Sequence, residues 1–378
     1  MPSGFVNYDD ISYKNMNGEA DPAGSLSPFT FLCMVTILAF YGLLMLYSAS
    51  YEKAVLDGLG HYHYFIRQLL TAFAAVATGY LLSMAQVKVL LKGWYVLLPV
   101  TVLTAAASLI PGFSENGHIV IDDLVLIQPG LLAAITSTLI VADLLPDLKP
   151  LGGNIDRKCL LALLSLVVLM VSSALTSGLG YYVLVVLIAI PALKVKGLPL
   201  WLFLLFLALS LLGAVLFALF LPVGSMYPEL DSAQAETVLN AIRDGGLAGV
   251  GIGAGLYKLE ALVHPESYQI FAVIIEETGF VGYILYLILF CVVVIIGYRT
   301  SGRARRRNDT GIEALSLALT VFLAAPAVLC PLYGLSLLPL PGLLLPFVSY
   351  SLPGEFLTVL AACILYRLVY IEGRPADA

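Results

Sequence analysis

The chain has 378 residues, of which 60% are hydrophobic and 12% charged, with a formal net charge of −6. Soluble domains carry about one quarter charged residues, and a globular surface needs polar cover, so a soluble enzyme is excluded and no nucleic-acid partner is expected. Apolar runs of about 20 residues recur along the whole chain, which is the pattern of a polytopic membrane protein.

Met1 to Ser27 is polar and acidic, with Lys14 its only cation and no cleavable signal pattern, and is expected to be a short tail. Hydropathy then predicts spans at Phe29–Ala49, Phe65–Met84, Gly93–Ile110, Leu126–Leu145, Leu160–Leu175, Gly178–Leu193, Leu198–Leu221, Tyr268–Tyr298, Ile312–Tyr333 and Gly342–Tyr366. The fifth and sixth come from one uncharged run between Lys158 and Lys194. As a single helix it would be about 52 Å long, against a hydrocarbon core of about 30 Å. Ser177-Gly178-Leu179-Gly180 falls at its midpoint and can turn the chain, and a hairpin puts both lysines on one side; a re-entrant or kinked pair is the alternative.

The expected fold is therefore all-α. Residues 1–28 form a cytoplasmic tail and 29–221 hold helices 1–7. Residues 222–267 make a large extracytoplasmic loop, 268–366 hold helices 8–10, and 367–378 form a second cytoplasmic tail. Of the 19 Lys and Arg, this arrangement leaves only Lys53, Arg67, Arg243 and Lys258 outside, as the positive-inside rule requires. Arg303, Arg305, Arg306 and Arg307 then serve as an inside anchor, with contact to anionic lipid also open.

Within the large loop, Asp244 to Gly255 is dense in glycine and is followed by Lys258. Such a segment either presents N–H groups to an anion, here a phosphate-bearing group, or packs tightly against the protein. A nucleotide P-loop is excluded, because no Gly-Lys-Ser/Thr follows at the required spacing. Glu276 and Glu277 stand together in an apolar run, where carboxylates cost a few kcal/mol each unless they face a cavity, pair with a cation or take up a proton. Neighbouring helix positions point about 100° apart, so the two cannot serve one site. Glu355 is the other isolated carboxylate, and Pro339, Pro341, Gly342 and Pro346 break the last apolar region, which suggests a groove. The five cysteines lie in or beside apolar runs as packing residues, and the His61 and His63 pair has no further ligands nearby; no metal site is expected.

These motifs resemble the SEDS family (shape, elongation, division and sporulation) of FtsW, RodA and SpoVE type. The resemblance is carried by Leu46-Tyr47-Ser48-Ala49-Ser50, Arg67-Gln68, Asn116-Gly117, Gln128-Pro129, Gln234, Gly245-Gly246 and Lys258. Further carriers are Phe271-Ala272 with Glu276-Glu277 and Gly279, and Leu338-Pro339, Gly342-Leu343, Leu345-Pro346 and Ser349-Tyr350. Lys258-Leu259-Glu260 resembles the division-type members.

The resemblance implies a peptidoglycan glycosyltransferase of the bacterial cytoplasmic (inner) membrane. It would polymerise lipid II beside a class B penicillin-binding transpeptidase and other divisome membrane proteins. It also implies substrate contacts at Arg67, Gly245, Gly246, Lys258, Glu276, Glu277, Ser349 and Tyr350. Where the family carries an Asp just before Phe-Ala, this chain reads Pro265-Glu266-Ser267-Tyr268-Gln269-Ile270, so Glu266 is the nearest candidate base. A non-catalytic scaffold that activates a transpeptidase, and a lipid II flippase, stay open as alternatives. The residues leave any cofactor open.

Overall fold

A computed structural model describes residues 28–110, 114–115, 118–121, 124–148, 156–220 and 232–373. The N-terminal polar tail, Asn116-Gly117, Lys149, the loop's beginning at Pro222–Asp231, the Glu260 side chain and Arg374 lie outside the described residues.

Thirteen helices are described: α1 (Pro28–Leu56), α2 (His63–Met84), α3 (Val87–Leu91), α4 (Trp94–Ser108), α5 (Pro129–Leu139), α6 (Arg157–Ser177) and α7 (Leu179–Val195) in the first half, followed by α8 (Leu200–Phe220), α9 (Ser232–Gly245), α10 (Tyr257–Glu260), α11 (Ile270–Arg306), α12 (Thr310–Gly334) and α13 (Leu352–Glu372). Eight helical stretches are long and apolar enough to cross a membrane, α3 and α4 counting as one, and α5 with its continuation to Leu144 and α7 are shorter apolar helices. Together they account for the ten predicted spans.

The uncharged run divides as expected. α6 ends at Ser177 and α7 begins at Leu179, with Gly178 between them at φ +83°. An L side chain is disfavoured there, and the two helices fold back on each other. The turn is tied to its neighbours on both sides. Gly130 N–H, at the start of α5, donates to the Ser177 hydroxyl (2.9 Å), and Gly180 N–H donates to the Pro341 carbonyl (3.2 Å).

Three features differ from the hydropathy reading. The last span starts as a helix only at Leu352, capped by the Ser351 hydroxyl, which accepts from Gly354 N–H (3.1 Å). Prolines at 339, 341 and 346, with positive φ at Gly342 and Phe347, keep the preceding apolar stretch non-helical. The second difference is a small antiparallel sheet joining α4 to α5, of order β1 (Ser114–Glu115), β2 (His118–Ile121), β3 (Leu124–Ile127), with a bulge between Ile119 and Val120. Third, the large connection is not bare loop: α9 buries Val238 and Ala241 and packs on α11.

α11, α12, α7 and α13 form the packed centre, whereas α8 buries only Phe203, Phe206 and Ser210 of its own residues. At the far end Arg307 pairs with Glu372 (3.2 Å), and Lys196 donates to the Ala142 carbonyl (3.0 Å) where α5 closes in a π-helical turn.

Candidate functional site

Two polar clusters sit at the end of the bundle where α1 finishes, and α1 contributes to both. Ser48 and Lys53 are five residues apart, about 7.5 Å along the helix.

The inner cluster is built on α11. At Gly279 the backbone takes φ +70° and ψ 179°, so α11 breaks within one turn of Glu276 and Glu277 and leaves carbonyls free of the helix. The glycine segment wraps this break. Val250 N–H donates to the Glu276 carbonyl (2.9 Å), Gly251 N–H to that of Glu277 (3.0 Å), and Phe280 N–H returns to the Gly246 carbonyl (3.0 Å). A Cβ at Gly245 would overlap the Ile275 carbonyl, and one at Gly249 the Glu277 carbonyl, which is why only glycine fits there. Glu276 accepts from Leu256 N–H (2.5 Å) and Tyr257 N–H (3.2 Å). Glu277 accepts from Lys258 (2.6 Å) and from the Ser48 hydroxyl (2.7 Å), and Lys258 also donates to Ser48 (3.0 Å). The Lys258 and Glu277 side chains are 4% and 0% exposed, so this pair is out of water. Of the two sequence alternatives for the glycine segment, these bonds build the tightly packed one. Gly245, Gly246, Lys258, Glu276 and Glu277 are engaged with one another and with α1.

The outer cluster is built on the connection into α11. Glu266 is 4% exposed in its side chain and pairs with Lys53 at 2.5 Å, with His264 Nδ1 at 3.5 Å; its second oxygen, Oε2, is buried without a hydrogen-bond partner. Burial opposes ionisation of Glu266, but His264 and the Lys53 ammonium outweigh it and hold its pKa below the usual carboxylate value. The backbone of this segment is stitched to the turn before α13. Tyr350 N–H donates to the Glu266 carbonyl (2.7 Å), Ser267 Oγ to the Tyr350 carbonyl (2.9 Å), and Ser349 Oγ to the Ser267 carbonyl (2.8 Å). α2 closes the cluster from the other side. Gln68 donates to the Ser349 carbonyl (3.1 Å) and to Glu355 (3.2 Å), and the Arg67 guanidinium lies near the Tyr350 hydroxyl. The Tyr64 ring meets Tyr350 edge-on at 4.9 Å, with the Lys53 ammonium 5.7 Å from its centroid.

Of the residues singled out by sequence, Glu266, Arg67, Ser349 and Tyr350 thus converge on one place, and the other five form the neighbouring lock. Lys53, Gln68, Tyr64 and Glu355 complete the outer cluster and were not among the expected site residues. Lys53 carried one usable signal, being one of few cations on the expected outer side. Beside Ser349 and Glu355 lies a small cavity of about 30 Å³, walled by Tyr181, Phe322 and Leu343. Among the described residues no group of three or more His, Cys, Asp or Glu could hold a metal ion.

In chemical terms the outer cluster sets the Glu266 carboxylate near two cations, Lys53 and Arg67. That set can hold an anionic group and move a proton at an adjacent hydroxyl.

Comparison with known proteins agrees with this architecture. Residues 29–372 match the FtsW, RodA and SpoVE family model, described as "Cell cycle protein". The chain is 26% identical over 364 residues to the probable peptidoglycan glycosyltransferase FtsW of Coxiella burnetii, covering 90% of this chain and 95% of that one. To the protein of the same name from Nitrosomonas europaea it is 27% identical over 359 residues, covering 88% and 90%. The rod shape determining protein RodA of Thermus thermophilus superposes with a TM-score of 0.65 at 20% identity, covering 92% of this chain and 98% of that chain. A chain from a peptidoglycan synthase complex, described for its structural coordination of polymerization and crosslinking, gives 0.69 at 20% identity over the same shares.

Proposed function

Because the chain belongs to the FtsW, RodA and SpoVE family of cell cycle proteins, we propose that it is a peptidoglycan glycosyltransferase that polymerises lipid II into glycan strands. We place it in the bacterial inner membrane with both termini cytoplasmic. The outer cluster then faces the outside, and the partner is a class B penicillin-binding transpeptidase of the division machinery.

The observation that carries the reading is the convergence of Glu266, Lys53, Arg67 and Tyr350 at the end of the bundle where the large connection lies. Glycosyl transfer from a lipid diphosphate needs two things. The attacking sugar hydroxyl must lose its proton, and the leaving diphosphate must be held against its negative charge. Glu266 is the base in this reading, and Lys53 and Arg67 hold the diphosphate. Free Glu266 is a poor base, since His264 and Lys53 keep it ionised and low in pKa. A diphosphate that draws the Lys53 ammonium away removes that stabilisation, so the carboxylate becomes more basic when substrate arrives. Ser349 and Tyr350 fix the Glu266 backbone, and the Lys258–Glu277–Ser48 lock fixes the segment that leads to it.

The experiment is polymerisation of labelled lipid II by the full-length protein with its transpeptidase, read on glycan gels. Glu266→Gln is expected to lower the rate by a factor of about 100 or more. Lys53→Met is expected to raise KM for lipid II as well as slow the reaction. Polymer made by Glu266→Gln at the wild-type rate would remove Glu266 as the base.

A second reading, a non-catalytic scaffold that activates the transpeptidase, draws on the burial of Glu266 and its pairing with Lys53, which equally suit a structural tie. It expects no polymer from the wild-type protein and full stimulation of the transpeptidase by Glu266→Gln.

A further inference from the structure

Glu355 has no task in the proposed reaction, yet a carboxylate buried in a membrane-spanning helix is costly. It stands in the first turn of α13 and is 4% exposed. Its hydrogen-bond partner is Gln68 of α2, itself buried. The Gln68 amide nitrogen carries two hydrogens, and it donates to Glu355 (3.2 Å) and to the Ser349 carbonyl (3.1 Å). The amide oxygen, Oε1, is buried without a hydrogen-bond partner. Turning the amide over would set that oxygen against two acceptor oxygens, so Glu355 and Ser349 together fix which way Gln68 points. A buried carboxylate and an orphaned carbonyl in one pair both oppose stability, and such features are retained where a site needs them.

What the pair grips is the peptide group between Ser349 and Tyr350. Gln68 holds its carbonyl, and its N–H donates to the Glu266 carbonyl (2.7 Å). A peptide group is planar and rigid, so its tilt carries directly from α2 to the backbone of Glu266. Two hydroxyls hold the same segment from the sides. Ser349 Oγ donates to the Ser267 carbonyl (2.8 Å) and accepts from Leu345 N–H (2.9 Å), and Ser267 Oγ donates to the Tyr350 carbonyl (2.9 Å).

We propose that Gln68 and Glu355 are positioning residues for Glu266. Glu355 sets the Gln68 amide, Gln68 sets the tilt of the Ser349–Tyr350 peptide, and that peptide sets where the Glu266 carboxylate stands against Lys53. The inference rests on the glycosyltransferase reading and deepens it, since both residues act through Glu266 and neither takes the proton.

The test uses the full-length protein in lipid nanodiscs with three variants. Gln68→Met and Glu355→Met keep the volume of each side chain and remove the contact, whereas Glu355→Gln keeps an acceptor for Gln68. Hydrogen exchange read by mass spectrometry is expected to be at least tenfold faster at the Tyr350 amide in both Met variants, unchanged in α8, and as wild type in Glu355→Gln. With lipid II and the transpeptidase, the Met variants are expected to lose about tenfold in kcat at unchanged KM, and Glu355→Gln to keep the wild-type kcat. The same exchange pattern in a protein whose wild type makes no polymer would support the linkage to Glu266 and overturn the glycosyltransferase reading instead. Wild-type exchange at Tyr350 in the Met variants would overturn the positioning role. So would faster exchange with kcat untouched, or a rise spread evenly over all helices with a lower melting temperature, which marks a merely structural pair.

Discussion

A lysine and a glutamate that share no water depend on each other. The Lys258–Glu277 pair lies between α1 and the break in α11, with both side chains almost fully buried and Ser48 bonded to each. Removing one partner strands the other charge, which costs about 3–5 kcal/mol, whereas replacing both is often far cheaper. Lys258→Met and Glu277→Gln are each expected to lower the melting temperature in detergent sharply. The double variant should recover part of the loss, and strictly additive losses would contradict the pairing. His118 offers a pH-dependent case on β2. Burial pushes its pKa down to about 4. As pH falls below its ordinary value of about 6.5, the unfolded chain binds a proton that the folded chain refuses, and stability drops by about 1.4 kcal/mol per pH unit. Melting between pH 7 and pH 5 should fall more for the wild type than for His118→Asn; equal slopes would contradict this.

At the scale of elements, glycine placement decides how the glycine segment meets α11. Gly249 has φ +77° and abuts the Glu277 carbonyl, whereas Gly302, near the far end of α11, has open space where a Cβ would stand. Gly249→Ala should cost well over about 2 kcal/mol, since the left-handed conformation alone costs about 1–2. Gly302→Ala should be neutral or stabilising by up to about 1 kcal/mol. Melting curves of the two variants check this, and equal effects would contradict the packing described. The spans themselves were legible because each must be apolar over a fixed length. The α6–α7 division was legible because its run is too long for one crossing and holds Gly178. The start of α13 was half legible: Pro339, Pro341, Gly342 and Pro346 read as breaks, but Leu343 to Phe347 is as apolar as a helix and so was counted within the span. The β1–β3 sheet was hidden by its short strands of two and four residues. The outer cluster was half legible. Motifs pointed to Glu266, Arg67, Ser349 and Tyr350, but Lys53 and Glu266 meet across 213 positions, and Gln68 and Glu355 across 287. Pairings at that range are set by helix packing, which periodicity does not encode.

For the whole molecule, function depends on which end of the bundle faces out. The proposed topology has Lys53, Arg67, Arg243 and Lys258 outside and the α11 arginines inside, and with it the Glu266 cluster on the side where strand synthesis is proposed. The most direct measurement is labelling of single cysteines in intact cells by a membrane-impermeant maleimide, on a background with the five native cysteines replaced. Ala254 lies exposed in the glycine segment beside the clusters, and Gly302 is exposed near the far end of α11. The account predicts that Ala254→Cys is labelled in intact cells and Gly302→Cys only after the membrane is opened. The reverse pattern would place the Glu266 cluster in the cytoplasm and contradict the proposed polymerisation outside the membrane.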